Sequence, residues 1–152
     1  MIQRLVVFDT STYIPYYRGK AYSVYVRRET LRGRVRFCSV VLQELYAGVR
    51  SRRMKEDLDA TARTFEHRGY LVTPTHRDWI TAGLAINRYI RLYGPIEPRD
   101  HINDILILLC ASWVNAWVLT ENREHFEMWA KLLRRMGLRV RIEGLHREDH
   151  LN

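Results

Sequence analysis

Short apolar runs rich in β-branched residues recur along the chain, each bounded by polar or turn-forming residues. Runs of this length and composition are typical of buried strands. They predict strands at residues 3–8, 35–38, 70–72, 116–119 and 138–142.

Between these runs, apolar side chains recur every three or four positions, as they do in amphipathic helices. This periodicity predicts helices over residues 13–30 with a break at Gly19, and over 40–48, 54–67, 75–92, 100–113 and 122–136. We expect Ser39 to cap the second of these helices. We also expect Trp79 to lie on the buried stripe of residues 75–92.

The alternation of strands with helices indicates an α/β domain of three layers, with helices on both faces of a mainly parallel sheet. The chain has 152 residues, 47% of them hydrophobic, which is enough for one ordinary core. We assign residues 1–143 to this domain and expect the polar residues 144–152 to form a frayed tail.

Three carboxylates stand where a core pattern does not require charge. Asp9 directly follows the first predicted strand, and parallel sheets bind ligands beyond the carboxyl ends of their strands. Capping of the next helix is its alternative role. Glu44 has apolar neighbours, although it also fits the solvent side of its helix. Asp104 precedes the apolar run of residues 105–109, where an ordinary first-turn Asp also gains from the helix dipole.

Together these carboxylates indicate a divalent cation. Like charges gathered at one sheet edge repel each other and raise each other's pKa, and a hard cation removes that conflict. Mg²⁺ prefers oxygen ligands, with Mn²⁺ as an alternative. Such a cation activates water and stabilises charge on a phosphodiester.

The charge balance is strongly basic, with 25 Lys and Arg against 17 Asp and Glu and a net charge of +8. An excess of arginine favours phosphate and polyanions, although a solvated surface explains it equally well. Two groups stand near Glu44 in sequence, and we expect them to flank a cleft: Arg27, Arg28, Arg32, Arg34 and Arg36, and then Arg50, Arg52, Arg53 and Lys55.

Cysteine use and hydropathy bear on the compartment. Cys38 and Cys110 are far apart in sequence and lie in apolar stretches, so we expect reduced core thiols and a reducing compartment. The sequence shows no apolar run of membrane-spanning length and no signal-peptide pattern. We expect a soluble, cytoplasmic protein without membrane partners.

Four segments around the carboxylates share their order and spacing with a known family. They are VVFDTS at residues 6–11, SVVLQEL at 39–45, NDILI at 103–107 and LTENREHF at 119–126. Together they resemble the motifs of PIN-domain nucleases, in particular the VapC-type toxins of toxin–antitoxin pairs. The resemblance extends over most of the chain.

This resemblance implies a PIN-like three-layer α/β/α fold and Mg²⁺-dependent endoribonuclease activity on RNA. It also implies a homodimer and an antitoxin protein as partner. It assigns Asp9, Glu44 and Asp104 as catalytic and metal-site carboxylates. Asn122 falls at the fourth catalytic position, where many members have Asp. Because an amide carries no charge, we expect it to orient a metal-bound water or ligand.

Several polar residues near the motifs are candidates for supporting roles. Hydroxyl groups at the sheet edge either support the carboxylates or cap helices. Two further acids would add negative charge near the site. One histidine either contacts the site or packs elsewhere. These residues are Thr10, Ser11 and Thr120, then Glu121 and Asp100, and His125. His146 and His150 have the spacing of a metal pair on a helix, or belong to a solvated tail.

The first predicted helices carry more aromatic and apolar side chains than one buried face requires. Tyr13, Tyr16 and Tyr17 have three alternative roles, which are stacking on bases, packing in the core and facing a partner. The resemblance implies that an antitoxin segment lies over this region.

Two other functions fit parts of the sequence. A non-catalytic RNA-binding module of the same fold would explain the basic charge and Asn122. A phosphotransferase of the haloacid dehalogenase type would use Asp9 as nucleophile, but it requires a second Asp two residues later, where this chain has Ser11. We therefore favour the metal-dependent endoribonuclease.

Overall fold

Five short parallel strands form the sheet in a computed structural model that describes residues 4–151. They are β1 (Val6–Phe8), β2 (Phe37–Cys38), β3 (Leu71–Val72), β4 (Trp117–Thr120) and β5 (Arg141–Gly144). Every predicted strand is present. The last begins three residues later than expected, and residue 3 of the first lies outside the described residues.

The strand order places β1 in the middle of the sheet. β1 pairs with β4, β4 with β5, and β2 with β3. A bridge between Val6 and Val35 joins the two sets, because the Val6 N–H donates to the Arg34 carbonyl at 3.0 Å and the Arg36 N–H donates to the Val6 carbonyl at 2.9 Å. The order is therefore β3-β2-β1-β4-β5, and the predicted parallel sheet is confirmed.

Seven helices cover the sheet within the described part of the chain. They are α1 (Thr10–Tyr17), α2 (Ser23–Leu31), α3 (Ser39–Ala47), α4 (Arg52–His67), α5 (His76–Tyr93), α6 (Ile102–Trp113) and α7 (Arg123–Arg135). Helices α5, α6 and α7 pack against one another, and α3 packs against α1 and α4, which is the grouping that right-handed crossovers on two faces of the sheet produce. This arrangement confirms the predicted α/β/α layers.

The core is centred on α6, which is buried from Ile105 to Ala111. It packs on the sheet and against α5 and α7. Cys38 and Cys110 are buried and form no disulfide, as expected. None of the helices described here combines the length and apolar character that crossing a membrane requires.

Two local predictions were wrong by one residue. Cys38, the last residue of β2, is the N-cap of α3, and Ser39 is its first helical residue, because the strand runs directly into the helix. Trp79 is 54% exposed. The buried position belongs to Asp78, whose carboxylate closes a capping box with Thr75 and accepts a bifurcated hydrogen bond from the single Trp113 indole N–H, at 2.9 Å to each oxygen.

The expectation of a frayed tail was also wrong for the residues that the structure describes. Leu145 is buried, and the Tyr22 N–H donates to the His150 carbonyl at 2.9 Å. The His150 ring stacks on Tyr25, with 4.8 Å between the ring centroids. The polar composition of this segment suggested exposure to solvent. However, the segment leaves β5 beside α2, where the apolar side chain of Leu145 and the aromatic stack of His150 hold it.

We predict that Trp113→Phe lowers the free energy of unfolding by about 1–2 kcal/mol, because the buried Asp78 carboxylate loses a donor. Denaturant unfolding followed by circular dichroism measures this. Trp79→Phe is the matched control, since this indole is similarly exposed and lies on the adjacent residue of α5. An equal effect of both substitutions would contradict the assigned role of the hydrogen bond.

Candidate active site

The candidate site lies at the carboxyl ends of β1 and β4, where the strand order reverses. Asp9 follows β1 directly, and Thr120 ends β4. The Asp9 N–H donates to the Leu119 carbonyl at 3.2 Å, which continues the pairing of the two strands. In open parallel sheets, the crevice at such a reversal is where ligands bind.

Asp9 is held by hydroxyl groups on both sides of its carboxylate. Ser11 Oγ donates to Oδ1 at 2.7 Å, and Thr120 Oγ1 donates to Oδ2 at 2.8 Å. The buried Thr12, which sequence reasoning did not single out, lies 3.4 Å from Oδ1. Burial raises the pKa of Asp9 from 3.8 to about 6, the hydroxyl hydrogen bonds lower it, and the charge of Asp104 raises it further.

Glu44 reaches the same edge from α3. It is half-buried, and Thr10 Oγ1 donates to its Oε1 at 2.9 Å. Burial raises the pKa of Glu44, with a smaller opposing effect of the Thr10 hydrogen bond and a further rise from the charge of Asp104. The neighbouring Gln43 occupies the solvent side of the helix.

Asp104 lies in the first turn of α6, and its Oδ2 is 2.7 Å from His125 Nε2. Burial raises the pKa of Asp104, while His125 and His101 lower it. His101 precedes Asp104 by three residues, and its ring is stacked 5.5 Å from that of His125. Sequence reasoning did not select His101, although its spacing of three residues from Asp104 is visible in the sequence.

Asn122 belongs to this edge through its backbone. It is the N-cap of α7, and its N–H donates to Thr120 Oγ1 at 2.9 Å. Its side chain is exposed, and no hydrogen bond within residues 4–151 joins it to the three carboxylates. The role predicted for its amide therefore stays a prediction.

The other candidate acids and histidines point elsewhere. The Glu121 carboxylate accepts a 2.9 Å hydrogen bond from Arg147, and Asp100 lies in an exposed turn. The ring of His150 is engaged with Tyr25, so it is not poised with His146 around a cation.

The predicted basic groups are largely engaged away from the carboxylates. Arg28, Arg32 and Arg34 surround the buried carboxylate of Glu29 at 3.1, 3.5 and 3.4 Å. Arg36 lies over the Tyr70 ring at the amino end of the sheet, opposite the site. The expectation that this first group flanks the cleft was wrong.

In the second basic group, Arg52 and Lys55 pair with acids of their own helix, Glu56 and Asp59. Arg53 instead lines a groove between α1, α2 and α4.

Tyr13 is buried and stacked on Phe37 at 4.5 Å, so of its three alternative roles the core role is the one observed.

The donor set fits a hydrated magnesium ion better than a closed metal cage. Among the described residues, no three His, Cys, Asp or Glu side chains form a compact metal-binding group. However, three carboxylates with raised pKa converge here, and Mg²⁺ typically uses one or two carboxylates while it keeps several waters. Asp9, Glu44 and Asp104 are the residues that would hold such an ion, and this role stays a prediction.

Solved structures with a similar fold are VapBC proteins. VapBC from Salmonella typhimurium, bound to DNA, is 22% identical over 93% of this chain and 98% of that chain, with a TM-score of 0.64. VapBC2 from Rickettsia felis, bound to a promoter DNA fragment, is 21% identical over 93% and 99%, with a TM-score of 0.63. VapBC-1 from nontypeable Haemophilus influenzae is 18% identical over 92% and 97%, with a TM-score of 0.59.

The chain has a PIN-like fold. The match covers nearly the whole of each compared chain, which decides the fold at these low identities. No protein-family model matches the sequence, and no curated protein matches it. In the PIN-like fold, the carboxyl edge described above is formed by segments that come from four separate parts of the chain.

Because the pKa of Asp9 is raised in the folded state, ionised Asp9 lowers the free energy of unfolding. The folded state holds the Asp9 proton more tightly than the unfolded chain does, so the free energy of unfolding falls as pH rises from about 3.8 to about 6.

We predict that Asp9→Asn raises the free energy of unfolding at neutral pH by about 1–2 kcal/mol, somewhat less than the pKa shift alone implies, because the amide replaces one acceptor by a donor. The gain should vanish at about pH 4, where Asp9 is largely protonated in the folded state. Thermal melting of both proteins across this range measures it, with the exposed Asp100→Asn as control. A difference independent of pH would contradict the assigned cause.

Proposed function

We propose that this protein is a metal-dependent endoribonuclease and the toxin of a toxin–antitoxin pair. The observation that carries the proposal is the convergence of Asp9, Glu44 and Asp104 at one edge of a PIN-like sheet, each with a raised pKa. Hydroxyl groups and a histidine hold the three carboxylates instead of arginines or lysines. Among the described residues, no arginine or lysine pairs with these carboxylates, which supports a metal cation as their partner.

Mg²⁺, or Mn²⁺ as an alternative, would supply Lewis-acid chemistry, which lowers the pKa of water and withdraws charge from a phosphodiester. The chain's own residues position the reaction. Ser11 and Thr120 fix the orientation of Asp9, Thr10 fixes Glu44, and His125 fixes Asp104. Such fixed ligand orientation is what surrounding hydrogen-bond donors provide in metal sites.

The amino end of α7 lies at the same place. Asn122 caps this helix, and unpaired N–H groups and the helix dipole at an N-terminus favour phosphate. The RNA backbone would thus approach between the carboxylates and the start of α7. We expect Asn122 to orient water or phosphate there from its exposed position.

We predict that Asp9→Asn and Asp104→Asn each reduce RNA cleavage at least about a hundredfold, comparable to the loss of one main stabilising group in other active sites. Mapping of RNA ends after incubation with Mg²⁺ and with a chelator measures it. Asp100→Asn is the matched control, since Asp100 is an exposed acid near Asp104 in sequence. Full cleavage by both variants, with chelator-resistant activity, would reject the proposal.

A non-catalytic RNA-binding module is the second candidate. It is favoured by the missing compact metal group among the described residues and by the exposed side chain of Asn122. It would bind RNA with strong salt dependence and produce no fragments with any divalent cation.

We propose that the antitoxin binds in the groove between α1, α2 and α4. Two adjoining cavities of about 240 and 650 Å³ share Tyr16, Tyr17, Ala60 and Thr61. The smaller cavity has apolar walls that include Phe65. The larger contains the three basic side chains of Arg18, Arg27 and Arg53 with one acid, Asp57. This chemistry suits an amphipathic segment with acidic residues at one end.

We predict that Ala60→Glu weakens antitoxin binding at least about tenfold, because it adds bulk and negative charge to the groove. RNA cleavage by the free protein should be unchanged. Calorimetry with the small protein encoded in the neighbouring reading frame measures the affinity. Ala47→Glu, an exposed alanine of α3 outside the groove, is the control. Equal affinity for both variants would place the antitoxin elsewhere.

The homodimer and the cytoplasmic location stay predictions. For the dimer, α5 offers an exposed apolar surface that includes Trp79, Ile80 and Leu84. Contiguous exposed apolar side chains of this kind are typical of protein interfaces.

A further inference from the structure

We infer that the cavity between α5 and α7 is a subsite for single-stranded RNA, in which a base stacks on Tyr93 and basic side chains of α7 contact phosphates. The inference rests on the proposed function, since one RNA strand would occupy both places. The cavity holds about 520 Å³, within the range of nucleotide-sized ligand sites.

A row of aromatic rings connects this cavity with the carboxylates. Successive ring centroids lie 4.9, 5.2, 5.3 and 5.5 Å apart, in the order Tyr93, Tyr89, Trp129, His101 and His125. His125 then contacts Asp104 at 2.7 Å. Arg123 and Glu124, the first two residues of α7, line the cavity next to the N-cap Asn122. The cavity therefore begins beside the amino end of α7, which belongs to the carboxylate edge, and continues along this helix.

Tyr93 is the exposed end of this row. Its side chain is 63% exposed, whereas Trp129 is fully buried behind Tyr89. An exposed ring supported by a buried aromatic row offers a rigid stacking surface. Stacking on aromatic side chains tolerates any base, so it suits a strand whose sequence is read elsewhere.

The charge of the cavity is complementary to phosphate. Arg123, Lys131 and Arg135 line it, and their spacing of four or eight positions places them along one side of α7. All three are exposed, and none forms an ion pair within residues 4–151. Of the two acids in the lining, Glu127 is already paired with Arg134 at 2.6 Å, which leaves Glu124. Three cations thus face one unpaired acid.

The test is photo-crosslinking and affinity measurement with a pool of short single-stranded RNAs in which bromouridine replaces uridine. The protein is the full chain carrying Asp104→Asn, so that the RNA stays intact. We expect the crosslinked peptide to contain Tyr93. Tyr93→Leu, which keeps an apolar side chain, should weaken RNA binding about tenfold.

A second pair of substitutions tests the phosphate contacts. Lys131→Gln combined with Arg135→Gln should reduce the slope of log affinity against log salt by about 1.4, because each phosphate contact of a single strand contributes about 0.7. Arg63→Gln on α4 with Arg68→Gln at its C-cap removes the same charge from exposed positions outside the cavity. For the ring, Leu92→Ala is the control, since Leu92 is an exposed apolar residue next to Tyr93 that does not line the cavity.

The outcomes separate this inference from the proposed function. Cleavage by the wild-type chain with crosslinks only elsewhere would overturn the subsite and leave the nuclease in place. Crosslinks at Tyr93 without any cleavage would support the subsite and overturn the nuclease. If Tyr93→Leu changes the oligomeric state or antitoxin affinity but not RNA affinity, the cavity is a protein interface and the inference fails.

Discussion

The burial of three carboxylates at one sheet edge is the constraint on which this edge of the molecule depends. Burial raises the pKa of Asp9, Glu44 and Asp104, and the charge of Asp104 raises the pKa of Asp9 and of Glu44 further. Hydroxyl groups hold two of them and a histidine holds the third, so their positions are fixed without an arginine or a lysine. Functional sites commonly contain side chains that destabilise the free protein and are stabilised by the bound ligand.

Much of the fold followed from the sequence because each local pattern agrees with the global one. The apolar runs, the glycine after α4 and the alternation of strand with helix were sufficient for element order and a parallel sheet. These patterns were not sufficient to predict which single residues are buried. The exposure of Trp79 was decided by a distant partner, because Trp113 binds the carboxylate of Asp78, and no periodicity within α5 encodes that contact.

Sequence reasoning selected the three acids together with Thr10, Ser11, Thr120 and His125, which contact them, but it did not select Thr12 or His101. A carboxylate before an apolar run is visible in one dimension, whereas the stack of His101 on His125 appears only when α6 and α7 pack together. The arginines show the same limit of sequence analysis. Arg28, Arg32 and Arg34 looked like a nucleic-acid surface, yet they converge on the buried Glu29, a pairing that net charge cannot reveal.

The pairing of β1 with β4 also has a consequence for the newly made protein. Asp9 and Thr120 are 111 residues apart in sequence, and their hydrogen bond is part of the site. During translation the amino-terminal strand has no neighbour on that side until β4 leaves the ribosome. The chain therefore cannot assemble its carboxylate edge co-translationally before most of it has been synthesised, and non-local contacts of this kind also slow folding. Synthesis of the chain therefore delays the formation of the complete carboxylate edge.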